Sequence, residues 1–429
     1  MPLEKPPLPG IVLTVQGKPR IGPLTSFRFF AAIGVVMYHF LRGPDSGFST
    51  DSRFYLLATY GQLGVAFFFI LSGYILTYNY AWTREKAQRL DQRNFWWKRF
   101  ARIYPLYLFA LLIDIPATVS HSVHVHGVSG AAVRVVPTFL TNVLLLEAWN
   151  SRLFGGWNPP GWTLSAEGFF YLAFPSLVRK LAWIHDGGWR AAAAKSASLL
   201  ALGTLVMGSA DWGEATLAAK NPRLHETIYL LSYNPLIYAT LFVMGMMLCL
   251  AEGRIRREGI GVSRCLDVFS GVILLAGVAD VALNIEIPSG LRMVGACLFF
   301  GSLILLGGGG GPAWFSKALS LSPLQLLGEA SYAVYLLQFP VFYYFEKLWA
   351  ALGMGEYDPS AHSNRLFYLF YLIALIGSSV LAFKFLEQPA RSFLQGRLPW
   401  SWKLMQATVP PVVPGPWRRR LSKIGPPSS

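Results

Sequence analysis

Charge is what this 429-residue sequence has least of. Asp, Glu, Lys and Arg together make up 14% of it, while apolar residues make up 53%. A soluble domain carries about 25% charged residues. With a mean hydropathy of +0.42, the balance excludes a soluble globular enzyme and implies an all-α, polytopic integral membrane protein. Acidic residues are the scarcer sign: 22 Asp and Glu stand against 37 Lys and Arg, a net charge of +15. In a soluble chain that excess would point to nucleic acid. In a membrane chain it collects in cytoplasmic loops, so no nucleic-acid partner is expected. Cysteine is nearly absent, and Cys249, Cys265 and Cys297 form no close pair. That argues against a disulfide framework and against a zinc site. Residues 1–22 are polar and Pro-rich and lack the apolar core of a signal peptide, so the first spanning helix is expected to direct insertion. No internal repeat is visible, which weakens a transporter built from inverted repeats. The run Gly307–Gly311 has no preceding strand and no following Gly-Lys-Ser/Thr, so it reads as a flexible helix exit and not a phosphate loop.

What is present begins with Ser26–His39, SFRFFAAIGVVMYH. Arg28 and His39 are eleven residues apart, which on an α-helix is about 1100° of rotation and roughly 16 Å of rise. They therefore share one face at two depths. Ionisable groups on a spanning helix are costly and are functional by default. Taken singly, Arg28 reads equally as a snorkelling interfacial anchor, and His39 as a partner in a helix–helix hydrogen bond.

Ten spans are expected, at about 25–43, 59–80, 103–119, 163–178, 196–210, 227–251, 267–285, 291–310, 327–349 and 365–386. Residues 136–149 are apolar but shorter than the roughly 20 residues a span needs, and read as re-entrant or interfacial. With the N-terminus inside, the inner segments hold 26 Lys and Arg and the outer segments 6, as the positive-inside rule requires. Both termini are then cytoplasmic. Making 136–149 a full span would turn the four arginines of 252–266 outward. The chain divides into a cytoplasmic segment at 1–23, a membrane domain at 24–392 and a basic, Pro-rich tail at 393–429 suited to an anionic lipid surface.

Four further groups invite chemistry. Arg99 and Arg102, in KRFARIYPLY, share a helical face and could grip a phosphorylated ligand from the cytoplasm. They equally suit positive-inside anchoring. Glu167, in PGWTLSAEGFFYLAFP, could orient or polarise His39 or act on a substrate hydroxyl. It equally suits the first turn of a helix capped by Thr163. His121, His124 and His126 match no strong zinc spacing and read as an exposed outer loop, so no metal is expected. Ser72, in FILSGYIL, has no base nearby in sequence and reads as a small residue for close helix packing.

Six pieces together resemble the acyltransferase-3 family of integral membrane O-acyltransferases. They are RFFAAIGVVMYHF (28–40), GVAFFFILSGYILT (64–77), RFARIYPLY (99–107), WTLSAEGFFYLAFP (162–175), GEASYAVYLLQFPVF (328–342) and EQPAR (387–391). Each is weak alone, and their shared order is the signal. The resemblance implies a ten-helix bundle in the bacterial inner membrane. It implies that Arg28 and His39 match the family's Arg and His separated by ten residues, that Arg99 and Arg102 match its Arg-x-x-Arg, and that Trp162, Leu164, Ser165 and Glu167 match its Trp-x-Leu-Ser-x-Glu. One position departs: Gln338 stands where many members carry histidine, so no proton transfer can occur there.

The resulting expectation is an O-acyltransferase that takes an acyl group, in the first place acetyl, from acyl-CoA. Arg28, Arg99 and Arg102 hold the donor phosphates. His39 and Glu167 are catalytic, and the acceptor is a sugar hydroxyl of a lipid-linked or exported glycan. The motif style is nearest the exopolysaccharide-modifying branch, with lipopolysaccharide a further glycan target. A macrolide or other small glycoside is the alternative acceptor, and a secondary transporter the alternative of another class.

Overall fold

The computed structural model describes residues 22–42, 52–150, 155–181, 233–258, 260–283, 289–310, 312–354 and 364–396, with isolated positions between 184 and 209. Every regular element among them is helical. Helix α1 is Gly22–Phe40. Helix α2 (Arg53–Tyr60) starts on the Ser52 side chain, which accepts from the Tyr55 amide at 3.1 Å, and runs through a 3-10 turn (Gly61–Leu63) into α3 (Gly64–Tyr80). A short α4 (Arg84–Gln88) precedes α5 (Gln92–Ile113), which Asp91 caps by accepting from the Asn94 amide at 3.2 Å. Caps of this kind satisfy amides that the first helical turn leaves unpaired. Helix α6 (Ile115–Val143) leaves α5 with a 49° bend at Asp114. Two 3-10 turns, Glu147–Trp149 and Pro159–Gly161, lead into α7 (Trp162–Leu181). Then come α8 (Pro235–Glu258), α9 (Ile260–Leu283) and α10 (Ser289–Leu305), α11 (Ala313–Leu319), α12 (Ser322–Ala351), α13 (Asn364–Ala382) and α14 (Gln388–Gly396).

Among the described residues three stretches are long and apolar enough to cross a membrane: Arg53–Tyr80, Pro235–Ile255 and Arg365–Gly396. Counting the bent pairs α5–α6 and α10–α11 as one span each makes five. Most of the core among the described residues falls into two aromatic-rich clusters, with a small aliphatic third around Met247 and Leu250. Of the two, one joins α3, α7 and α8 through Phe69, Phe170, Phe174 and Phe242; the other joins α1, α5, α12 and α13 through Val35, Tyr107, Leu336 and Tyr371. Helix α3 packs along α8 with backbones in contact: a methyl group on Gly73 would collide with the Phe242 carbonyl, and one on Gly245 with the Ile70 carbonyl. Small residues at such crossings are how membrane helices gain close packing.

Several elements depart from the sequence reading. His121, His124 and His126 are exposed, but they lie on α6 and not in a loop; the helix continues across a kink at Gly127 (φ 70°). The stretch 136–149 is no separate element: its first part is the end of α6. Helix α5 starts eleven residues before the expected third span, so Arg93, Lys98, Arg99 and Arg102 are all helical. The glycine run forms a π-helical turn (Leu306–Gly310) packed against Leu24 and Tyr74, not a loose exit. Residues 1–21, most of 196–210 and everything after 396 lie outside the described residues, and with them the N-terminal segment, one expected span and the basic tail.

Candidate active site

The site starts from how α1 meets α3. Gly34 faces Gly61 while the Ala31 carbonyl faces Gly64, so the two helices run antiparallel. From that crossing Ser72 lies eight residues, roughly 12 Å, along α3 toward the Arg28 end. His39 lies eight residues beyond Ala31 in the other direction. The two ends are therefore on the order of 20 Å apart.

A cleft opens along α3 on the Arg28 side. Its α3 wall runs from Val65 through Phe68, Ser72 and Ile75 to Leu76, a rise of roughly 16 Å. Arg28 of α1, Arg99 and Arg102 of α5, and Glu167 of α7 all line it. The structure thus brings four of the five predicted site residues into one space. None of the three arginines forms an ion pair among the described residues, and Arg28 and Arg102 make no hydrogen bond there. Arg99 reaches the Tyr80 hydroxyl at 3.4 Å and lies over the rings of Tyr80 and Phe95. Three half-buried guanidinium groups with no carboxylate partner among the described residues have the chemistry to hold an anionic ligand.

Glu167 is not a capping residue. Helix α7 starts at Trp162, and the Thr163 hydroxyl donates to the Pro160 carbonyl at 2.9 Å and caps no amide. Both the Ser72 hydroxyl (3.1 Å) and the Tyr171 hydroxyl donate to one carboxylate oxygen of Glu167, Oε1. Tyr171 follows Glu167 by four residues, a spacing that could have suggested the contact. Ser72 is ninety-five residues away in sequence, so no local signal could have found it, and the packing role read from sequence is incomplete.

His39 stands outside the cleft. Its Nδ1 is 2.8 Å from Gln338 Oε1, and Gln338 Nε2 donates to the Tyr335 carbonyl at 2.7 Å. With the amide nitrogen committed, the Gln338 oxygen accepts, so the His39 proton sits on Nδ1 and Nε2 carries the lone pair. The ring packs on Phe339 and lies beside Tyr38 and Phe40. Tyr335 lines the outer end of the cleft, and Gln338 is one helical turn beyond it. Among the described residues His39 and Glu167 do not touch, so Glu167 does not orient His39 in the manner of a hydrolytic triad.

The loop before α7 is pinned from several sides. Asp114 Oδ2 accepts from the Asn158 amide and the Thr118 hydroxyl, both at 3.1 Å; Asn158 Nδ2 donates to the Leu336 carbonyl at 3.2 Å. Trp157 Nε1 donates to the Leu111 carbonyl at 3.0 Å. These contacts fix where α7 begins and so where Glu167 points. Glu147 lies in the connection between α6 and α7, outside the spanning helices, and accepts from Tyr107 at 3.3 Å. Burial pushes its carboxyl up to about 8. Glu387, in the π-helical turn Phe383–Glu387, is buried, and its Oε2 has no hydrogen-bond partner among the described residues; Arg102 and Arg28 are the cations that act on it most. Its place in EQPAR carries no signal of this role in the sequence.

Fold and cleft together define a helical membrane protein with three arginines and a glutamate lining one cleft. The family of acyltransferase domains known as acyltransferase-3 matches residues 24–384, and the chain belongs to it. It is thus a membrane acyltransferase. It is 27% identical over 394 residues to Acyltransferase MdmB of Streptomyces mycarofaciens, covering 89% of this chain and 94% of that protein. It is 22% identical over 384 residues to O-acetyltransferase OatA of Staphylococcus aureus, covering 87% of this chain and 58% of that protein. A 170-residue stretch is 27% identical to Peptidoglycan O-acetyltransferase OatA of Listeria monocytogenes, covering 38% of this chain and 25% of that protein. No solved structure matches.

Proposed function

We propose that the chain moves an acetyl group from cytoplasmic acetyl-CoA to a sugar hydroxyl of a lipid-linked or exported glycan. It would do so as a ten-span protein of the bacterial inner membrane with both termini in the cytoplasm. The observation that carries this reading is the set of three unpaired arginines lining one elongated cleft. Arg28, Arg99 and Arg102 hold the donor phosphates, for which a planar, permanently charged guanidinium is suited. The donor arm follows α3 outward and presents its thioester at the Tyr335 end of the cleft, next to His39. His39 Nε2 takes the proton of the acceptor hydroxyl as its oxygen attacks the thioester carbonyl carbon; the C–S bond breaks and the thiolate leaves. Glu167 acts on the substrate and not on His39. A glycan acceptor is favoured by the O-acetyltransferase names among the relatives, one of which carries peptidoglycan in its name. The test is His39→Ala in membranes given labelled acetyl-CoA. Loss of label from surface glycan, read by mass spectrometry, is expected; undiminished acetylation removes His39 from the mechanism.

A further inference from the structure

The cleft has a polar point halfway along that anchoring phosphates and activating a hydroxyl do not require. Arg99 sits beside Tyr80, at the inner end of α3. His39 is one turn beyond the outer end. Glu167 lies between them, held against Ser72. Apolar Phe69, Leu71, Ile75, Ile103 and Leu164 line the cleft with it, and Arg28 is the cation that faces it.

The other polar groups lining this stretch are largely committed. Ser331 Oγ donates to the Gly328 carbonyl at 2.7 Å, and Tyr332 Oη to the Ile103 carbonyl at 2.8 Å. Thr163 bonds Pro160. Glu167 Oε1 already accepts from Ser72 and Tyr171, whereas Oε2 accepts no hydrogen bond among the described residues. That oxygen is open to the cleft, and it is the acceptor that a ligand carrying a hydrogen-bond donor meets there. The occupant of this cleft then has a defined pattern. It is anionic at the inner end, has a hydrogen-bond donor near its middle, is otherwise slender and apolar, and reacts at the outer end.

We propose that Glu167 Oε2 accepts an amide N–H of the donor's pantetheine arm, with Ser72 and Tyr171 as positioning residues that hold the carboxylate by its other oxygen. This rests on the acyl-CoA reading above and makes Glu167 a donor-binding residue. A carboxylate–amide contact of this kind is present in the bound donor and the transition state alike. Its loss therefore raises the donor KM and leaves kcat little changed.

The test uses the full chain in lipid nanodiscs and three donors: acetyl-CoA and two analogues in which one or the other arm amide N–H is replaced by an ester oxygen. In the wild type, one analogue should lose about 10- to 100-fold in kcat/KM, mostly through KM. Glu167→Leu should pay that loss with acetyl-CoA itself and no longer distinguish the two donors by more than about twofold. Ser72→Ala, a milder change that keeps the packing, should lose part of the discrimination. Equal analogue losses in wild type and both variants would overturn the contact, as would a Glu167→Leu that lowers kcat at unchanged donor KM. A wild-type chain that releases thiol from all three donors equally removes the amide contact and leaves the acyl-CoA reading standing. A chain that neither binds nor cleaves acetyl-CoA removes both.

Discussion

Arg102→Ala is the sharpest single test of the donor site. Arg102 is half-buried, lines the cleft, and makes no hydrogen bond or ion pair among the described residues. An arginine that braced the fold would have such partners, and its removal would unfold the protein. Here no protein contact of that kind is lost. Arg102 is a like charge to Arg28 but also faces the buried Glu387 carboxylate without pairing with it, so the two effects of its removal oppose each other and thermal stability in nanodiscs should change by no more than about 1 kcal/mol. The loss should appear only with donor present. A hydrogen bond to a charged group contributes about 1.5–3 kcal/mol, and each 1.4 kcal/mol is tenfold, so the donor KM should rise roughly 10- to 100-fold. Because the phosphates are bound equally in ground and transition states, kcat should change little. Arg102→Lys keeps the charge but not the two-pronged geometry, and should fall between wild type and alanine. Initial rates against acetyl-CoA concentration, at fixed acceptor, give both constants. A donor KM within twofold of wild type, with kcat or stability reduced instead, would refute the phosphate role of this residue.

Gly73→Ala should destabilise by about 1–3 kcal/mol, since a methyl group there collides with the Phe242 backbone and forces α3 from α8; an unchanged melting temperature would show the crossing is looser. The same shift should move Ser72 from Glu167 and raise the donor KM. Gln338→Leu removes the acceptor of His39 Nδ1–H, so the imidazole loses its fixed tautomer; activity should drop at least tenfold with donor KM unchanged, and wild-type turnover would sink the tautomer argument. Glu147 titrates at about 8 when folded against an ordinary value of 4.5. Between those values the folded state holds the extra proton, so stability falls as pH rises from about 5 to about 8. Glu147→Gln should flatten that slope in unfolding measured across the range, and a slope unaltered by the substitution assigns it to another group.

How much of this could be read from the chain itself depended on whether a feature was local. The apolar runs and their basic flanks mark α1, α3, α7, α8 and α12 because hydropathy and charge act over a few turns. The helical spacing of Arg99 and Arg102 holds, since α5 starts well before them. That Arg28 belongs with Arg99 and Arg102 follows from the resemblance and not from spacing, and that Glu167 joins them and not His39 is seen only in the structure. What the chain hid is tertiary. Ser72 gains its meaning from α7, and Gln338, noted only as a departure, gains its meaning from α1. The triad-like link between Glu167 and His39 rests on side-chain chemistry and motif, neither of which carries a distance. The α1–α3 register separates them, and register is set by glycine contacts that no single segment displays.

That separation has a consequence for charge. In a triad, the carboxylate stabilises the imidazolium as it forms; here a neutral amide holds Nδ1, and Glu167, midway, and Glu387 face the arginines of the inner half. Three guanidinium groups with Glu167 and Glu387 leave that half positive, and neither carboxylate forms an ion pair with them among the described residues. Positive charge in a low-dielectric wall is relieved when phosphates arrive, so donor binding and folding are linked. The donor should therefore stabilise the inner ends of α1 and α5 more than the His39 end. Hydrogen exchange with and without acetyl-CoA would resolve the two ends. Protection confined to the His39 end would mean that the anion site and the thioester have been assigned to the wrong halves of the cleft.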